Sequence, residues 1–304
     1  MFKAENIQES FADKQVLKGI NLTIQNGEVY GLVGANGAGK TTLFNILAQI
    51  LQPNEGRVFV DEKQIRSAND LNQNIGYIVD IPAMFEYMTA YEYLDFLMSP
   101  LKLSKQQIRE KSDFLLQAVG LKEVGNKRIK TFSRGMKQRM GIASGLVSNP
   151  KVILMDEPSS ALDPEGRVNV INIIQSLKKQ GKVVLLSTHI LTDVERVCDR
   201  VGLLVKGSLL VEGKIEDVLS KYAKPILRVE TKEIDKVKAG IKTLKRYIVS
   251  VTENHSGLDI EFKQGKQEVL FKQIVGLDIA FEGIYFKKPT IEEVFIEANK
   301  EVSK

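Results

Sequence analysis

Short apolar runs punctuated by turn residues mark the first two thirds of the chain. Val29–Val33, Ile75–Val79, Val152–Met155 and Val183–Leu186 are continuous rather than alternating and too short for helices. They read as strands buried on both faces. Each is followed by a polar or Gly-rich turn, with helical patterns between some of them, which predicts a mainly parallel sheet covered by helices. Val16–Ile24 before Asn26-Gly27, Arg57–Ile65, and the pair Val201–Val205 and Ser208–Val211 around Lys206-Gly207 read instead as antiparallel strands. From Met84 to Pro150 the apolar positions recur at helical spacing, as in Ile108, Leu115, Val119 and Phe114, Ala118, Leu121. This stretch is expected to be an all-helical insertion.

The pattern changes near residue 217. Ile226–Glu230 reads as a strand, Glu233–Leu244 as a helix, and Ile248–Thr252 with Leu258–Phe262 as a hairpin around Asn254–Gly257. A helix near Glu268–Val275, a strand near Ala280–Phe286 and a last helix follow, the last opened by Pro289 and the capping box Thr290-Ile291-Glu292-Glu293. The expected organisation is an α/β domain over residues 1–220, with its helical part at about 84–150, and a small α+β accessory domain over 225–304.

Composition narrows the class. The chain has 304 residues, 43% hydrophobic and 27% charged, which excludes disordered, collagen-like and coiled-coil classes and leaves room for two domains. The net charge of +5 comes without a dense basic run. It suits an anionic ligand or a membrane surface and gives no sign of nucleic acid. Cys198 is the single cysteine, so no internal disulfide and no Cys/His zinc cluster are expected. MFKAENIQESF has no apolar core of signal-peptide length, and no apolar run approaches the roughly 18 residues of a membrane span. A membrane role would therefore come through a partner.

The strongest chemical signal is Gly34-Ala35-Asn36-Gly37-Ala38-Gly39-Lys40-Thr41, followed by Thr42. Glycines let the backbone turn tightly and approach a ligand, so that successive N–H groups point into a concavity suited to phosphate oxygens. A helix starting at about Thr41 adds its N-terminal dipole. Lys40 supplies a point charge for the β- and γ-phosphates, and the Thr41 hydroxyl is a Mg²⁺ ligand. At average residue usage this spacing arises by chance in roughly one per cent of chains of this length.

A second signal is Val152-Ile153-Leu154-Met155-Asp156-Glu157, an apolar strand ending in two acids. A central parallel strand delivers such a pair to the carboxyl end of the sheet, beside a phosphate loop. Asp156 would there hold Mg²⁺ and Glu157 would act as general base on water. Val183–Ser187 ends in Thr188-His189, whose imidazole could reach the γ-phosphate. His255 sits in a hairpin loop and reads as a surface residue.

Taken in order, these motifs resemble the ATP-binding subunit of an ABC transporter over about residues 1–220. Phe132-Ser133-Arg134-Gly135-Met136-Lys137-Gln138-Arg139 is similar to the family signature L-S-G-G-Q. Ser133 and Gly135 match it, while Arg134 replaces a usual Gly and Met136 a usual Gln. Ser160-Ala161-Leu162-Asp163 resembles the D-loop, His189 the switch histidine, and Phe11 the aromatic that stacks on adenine. Without that resemblance Phe11 would read as an ordinary buried Phe of the first sheet. Asp80 stands where the family usually has a Gln that contacts Mg²⁺ and water. A carboxylate here, followed by Pro82, is similar to the bacitracin-resistance and lantibiotic-immunity branch, and Thr290–Phe295 resembles the end of exporters with ABC-2-type membrane subunits.

The resemblance implies a P-loop NTPase fold with an antiparallel β subdomain and a helical subdomain. It also implies ATP and Mg²⁺ as ligands, and a homodimer or heterodimer of ATPase subunits. ATP would lie between the phosphate loop and Asp163 environment of one copy and Ser133, Arg134 and Gly135 of the other. Metal ligands would be Thr41, Asp156 and Asp80, and the catalytic groups Lys40, Glu157 and His189. The partner would be an ABC-2-type permease that exports a peptide antibiotic, bacteriocin or other amphipathic compound, with the subunit peripheral on the cytoplasmic face of a bacterial membrane. The Met- and Tyr-rich stretch from Met84 to Tyr93 reads either as helical core or as a pliable groove for a permease helix. Rival readings are a soluble relative acting in DNA repair or translation and a nucleotide-binding regulator without turnover. The separation of 92 positions from Lys40 to Phe132 leaves no room for the long coiled coils of DNA-repair relatives.

Overall fold

The computed structural model describes residues 1–66, 74–160 and 162–302, with side chains through 298. Ala161 of the D-loop-like motif lies outside the described residues. The chain divides into two compact units, Met1–Val218 with Ala298–Lys304, and Leu219–Glu297.

The first unit opens with β1 (Phe2–Phe11), β2 (Lys14–Ile24), β3 (Val29–Val33), α1 (Lys40–Leu47), β4 (Glu55–Val60), β5 (Lys63–Ile65) and β6 (Ile75–Ile78). Helices α2 (Ala90–Met98), α3 (Lys105–Ala118) and α4 (Arg134–Gly145) follow, linked by short 3₁₀ turns. The chain then runs through β7 (Val152–Asp156), α5 (Pro164–Lys179), β8 (Val183–Thr188), α6 (Leu191–Val197), β9 (Arg200–Val205), β10 (Ser208–Lys214) and α7 (Ile215–Tyr222). One sheet is antiparallel with order β2-β1-β4-β5, and the other has order β10-β9-β3-β8-β7-β6. In the second sheet every pairing is parallel except β10 with β9.

The apolar runs are continuous because the sheet is covered twice. In β7, Val152 and Leu154 join a core shared with α1 and the antiparallel sheet, whereas Ile153 and Met155 join a core shared with α2, α4 and α5. β8 divides in the same way, Val183 and Leu185 on one side and Val184 and Leu186 on the other. Successive side chains of a strand point to opposite faces, so a strand buried on both must be apolar throughout. Parallel register also aligns the strand ends: Val33 lies opposite Thr188, and Asp156 opposite Ser187.

The helical insertion begins later than its periodicity suggests. Thr89 accepts from the Glu92 N–H and Glu92 accepts from the Thr89 N–H, a capping box that starts α2 at Ala90. Residues Met84–Met88 are therefore not helical, although Met84 and Met88 pack against the core, and the helical-core reading of Met84–Tyr93 holds only from Ala90 on. Ser104 and Gln107 cap α3 by the same device.

In the second unit β11 (Ile226–Glu230), α8 (Ile234–Gly240), β12 (Ile248–Asn254), β13 (Gly257–Phe262), α9 (Gln267–Val275) and β14 (Gly283–Phe286) follow in order, and α10 (Ile291–Val302) belongs to it up to Glu297. Its antiparallel sheet has order β12-β13-β11-β14. Leu227, Val229, Leu258, Ile260 and Phe262 are buried with Val237, Leu270 and Ile274. Arg228, on the opposite face of β11, faces Asp259 across the ladder. The helix read over Glu233–Leu244 is shorter: α8 ends at Gly240 and tightens into a 3₁₀ stretch, Ile241–Tyr247. Leu277 packs so closely on Gly240 that an added Cβ would meet its Cδ2 at 2.5 Å. The strand read from Ala280 starts only at Gly283, because the Ala280 carbonyl accepts from the Thr231 hydroxyl.

Candidate active site

The carboxyl ends of β3 and β7 open onto one cavity of about 430 Å³, and the end of β8, with His189, lies outside its lining and reaches it through Glu157. Its lining includes Phe11, Val16, Ala35, Asn36, Gly37, Gly39, Lys40, Thr41, Thr42, Asp80, Asp156 and Glu157. The loop after β3 owes its shape to glycines. A Cβ on Gly34 would lie 2.6 Å from the Leu204 carbonyl oxygen, and Gly39 caps α1 at φ 108°, a left-handed conformation costly for other residues. Lys40 opens α1 and is buried, its Nζ donating to the Gly34 carbonyl at 2.7 Å. Burying that ammonium needs acceptors and a counter-charge; Glu157 Oε1 stands 3.7 Å from Nζ.

Asp156 is 4% exposed and held at both oxygens. Thr41 Oγ1 donates to Oδ2 at 3.0 Å and Ser187 Oγ donates to Oδ1. Glu157 adopts φ 49°, rare for a side chain other than Gly, Asn or Asp. Such strain persists where surrounding bonds over-determine it and clusters at working sites. Here the Glu157 N–H donates to Ser187, reaching the carbonyl and Oγ at 3.1 Å each. His189 is exposed, and its Nδ1 lies 2.8 Å from Glu157 Oε2. The arrangement combines an anion cradle, a fixed cation, a buried carboxylate and a carboxylate–imidazole pair, a set suited to cleaving a phosphoanhydride.

Asp80 also faces the cavity, and its Oδ1 accepts from Ser160 Oγ at 3.0 Å. Among the described residues no group of three or more His, Cys, Asp and Glu side chains forms a metal cage. Mg²⁺ needs none, since it uses one or two carboxylates together with phosphate oxygens and water. The Thr41 hydroxyl, Asp156 and Asp80 fit that donor set. Burial and the Asp156 charge push the Tyr77 phenol well above its ordinary range, so it stays a neutral hydroxyl, donating to Asn45 Oδ1 at 3.3 Å.

The structure gathers most of the residues singled out from sequence, with some outside the cavity. Gly34 and Ala38 shape the loop but do not line it. Phe11 does line it and is 50% exposed, so it is not the buried Phe that its strand position alone would suggest. Ser133 caps α4, its Oγ accepting from the Met136 N–H at 3.3 Å. Ser133 and Arg134 are exposed, and with Gly135 they are absent from this chain's cavity lining. Asp163 caps α5 by accepting from the Gly166 N–H at 2.9 Å and also lies outside the lining.

Comparison with known proteins adds the decisive observation. Residues 17–160 match the family model described as ABC transporter. The chain is 35% identical over 212 residues to the lantibiotic transport ATP-binding protein SrtF of Streptococcus pyogenes, covering 70% of this chain and 90% of that protein. This chain belongs to the ATP-binding subunits of ABC transporters. The subunit is also 29% identical over 296 residues to the daunorubicin resistance ATP-binding protein DrrA3 of Streptomyces coeruleorubidus, covering 96% and 93% of the two chains. A solved ATP-binding cassette, a dimer in a post-hydrolysis state with ADP and phosphate, matches with a TM-score of 0.65 at 26% identity, covering 71% of this subunit and 99% of that chain. The fold is thus that of the P-loop ABC cassettes, and the subunit is an ATPase that powers a transporter.

Two residues of the site, Val16 and Ser187, escaped the sequence reading, and Ser160 was legible as part of the D-loop-like motif but not as the partner of Asp80. Val16 lines the cavity from β2. Ser160 holds Asp80, and Ser187 holds both Asp156 and the Glu157 backbone. The only sequence signal for Ser187 was its place two residues before His189; its partners follow from the β7–β8 register.

Proposed function

We propose that the subunit hydrolyses ATP with Mg²⁺ to drive a separately encoded ABC-2-type exporter of amphipathic compounds, among them peptides of the lantibiotic kind. Lys40 neutralises phosphate charge, Glu157 takes the proton of the attacking water, and His189 steadies Glu157 and the γ-phosphate. Thr41, Asp156 and Asp80 would hold Mg²⁺, which when bound supplies positive charge to the phosphate oxygens. Phe11 stacks on the adenine. The carrying observation is the junction at the phosphate loop in which Glu157 is hydrogen-bonded to His189 at 2.8 Å and ion-paired with Lys40 at 3.7 Å.

Two subunits, identical or related, would clamp ATP between them. The exposed N-terminus of α4 at Ser133, outside its own cavity, supports presentation to the nucleotide of a second copy. The exporter reading rests on the similarity to transport and resistance ATP-binding proteins. A cluster of exposed rings, Phe85, Tyr87 and Phe96, supports docking of a permease segment at the cytoplasmic face of a bacterial membrane. No helix among the described residues is long and apolar enough to cross a membrane itself. The test is detergent co-purification of Glu157→Gln with ATP and Mg²⁺. A dimeric ATPase retained with a polytopic chain is expected; a monomer that binds ATP but captures no such chain overturns the exporter assignment.

A further inference from the structure

A second cavity, of about 560 Å³, opens between α3 and α5 in the first unit and shares no lining residue with the nucleotide cavity. Its size falls within the roughly 300–1,000 Å³ of sites that take small organic ligands. Two helix faces make its walls: Phe114, Leu115 and Ala118 from α3, and Ile173 and Leu177 from α5. Leu146 adds to the apolar surface from the turn after α4. The lining also holds two cations, Lys111 on α3 and Lys182 at the entry to β8, and no carboxylate. Lys182 donates to the carbonyl and side chain of Asn149 but, like Lys111, forms no ion pair among the described residues.

Two ammonium groups thus stand beside an apolar cleft whose lining offers no counter-ion. Other lysines of this unit do meet an acid, as Lys137 does Glu86 and Lys178 does Asp199. Here burial lowers the pKa of both lysines, and the Lys111 charge lowers that of Lys182 further. An anion between them would relieve the mutual repulsion, and an alkyl chain behind it would cover the apolar walls. The adjoining hollow carries another cation, Arg139, and again no carboxylate.

We propose that this cleft binds an anionic amphiphile, an alkyl chain on the α3–α5 walls with its carboxylate or phosphate head between Lys111 and Lys182. The site is independent of the ATPase assignment, because occupancy is read by binding alone. A neutral or cationic amphiphile of the same length would gain the apolar contact but not the charge.

The test titrates the full chain by calorimetry with dodecanoate, dodecyl phosphate and dodecyltrimethylammonium, each below its micelle concentration, and with dodecanol up to its solubility limit. Both anions are expected to bind with Kd on the order of 10 μM, and the alcohol and the cation at least about tenfold more weakly. Preference for dodecanoate would assign the site to free fatty acids, and preference for dodecyl phosphate to lipid phosphates. Lys111→Gln with Lys182→Gln should weaken the anions about tenfold, while Lys111→Arg with Lys182→Arg keeps them bound. Ala118→Trp, at the exposed rim, should block all four compounds. Equal affinity for anion and cation, an unchanged Kd in the double Gln variant, or no binding up to millimolar concentration overturns the proposal.

Discussion

Glu157 and His189 meet through a 2.8 Å contact between Oε2 and Nδ1, while the other oxygen of the same carboxylate faces Lys40 at 3.7 Å. One side chain thus links the cation of the phosphate loop to the end of β8. If the pair acts as a unit on water, removing either partner should cost nearly what removing both costs. Glu157→Gln is expected to lower ATP turnover by about 10²–10⁴-fold and His189→Ala by a similar order. The double variant should be hardly worse than the more damaging single one. Phosphate-release kinetics on all three check this; multiplicative losses would mean that the two groups act separately.

Ser187 is fully buried, and its hydroxyl serves both acidic residues of the site. Ser187→Ala removes one donor from Asp156 and one acceptor from the strained Glu157 backbone. The expected result is a several-fold rise in the Mg²⁺ concentration for half-maximal activity and about a tenfold lower kcat. Ser187→Thr keeps the hydroxyl and should recover most of both. A Mg²⁺ titration that does not move in Ser187→Ala would reduce this residue to packing.

Gly34 has no room for a side chain because the Leu204 carbonyl sits 2.6 Å from where Cβ would be. Gly34→Ala must push the loop away from β9 and misdirect the N–H groups that follow. Loss of about 1–3 kcal/mol in stability should accompany a loss of ATP binding. Thermal shift with and without ATP separates the two effects, since a folded variant that ATP no longer stabilises has lost the cradle.

In the second unit the Arg228 guanidinium bonds both oxygens of Asp259, Nε to Oδ1 and Nη2 to Oδ2, at 2.7 Å each. Hydrogen bonding from Arg228 holds the Asp259 carboxyl below the usual range. A carboxyl whose folded pKa lies below its unfolded value stabilises the fold above the unfolded pKa, near pH 4. That contribution fades as pH falls through the folded value. Asp259→Asn should therefore cost roughly 0.5–1 kcal/mol at pH 7 after solvent screening, with the difference from the unmodified chain shrinking below about pH 4. Urea melts at pH 7 and pH 3 test this, and a gap that widens in acid would reverse the sign of the argument.

The legible parts of the site were those in which chain order does the chemistry. In Gly34–Thr41 consecutive residues shape one wall of the cavity, so the loop is readable as a string. Asp156-Glu157 closes an apolar run, and such a run can only end at the edge of a covered sheet. The missed parts depend on neighbours distant in the chain: Ser187 reaches Asp156 across 31 positions and Ser160 reaches Asp80 across 80. A serine carries no periodic signal, so nothing in its local sequence reveals which carboxylate it meets. The same holds for the start of α2, where the Thr89–Glu92 capping box overrode an apolar rhythm that continued upstream.

By itself the sequence determined the strand and helix types, the phosphate loop and the order of the chemical groups, since these follow from side-chain period and backbone freedom over a few residues. Only the tertiary structure decided that Phe11 is open to the cavity, that Ser133 and Asp163 cap helices outside it, and that Lys111 and Lys182 share a cleft without an acid. Those outcomes depend on strand register and helix packing, where contact is set by distance in space and not by separation along the chain.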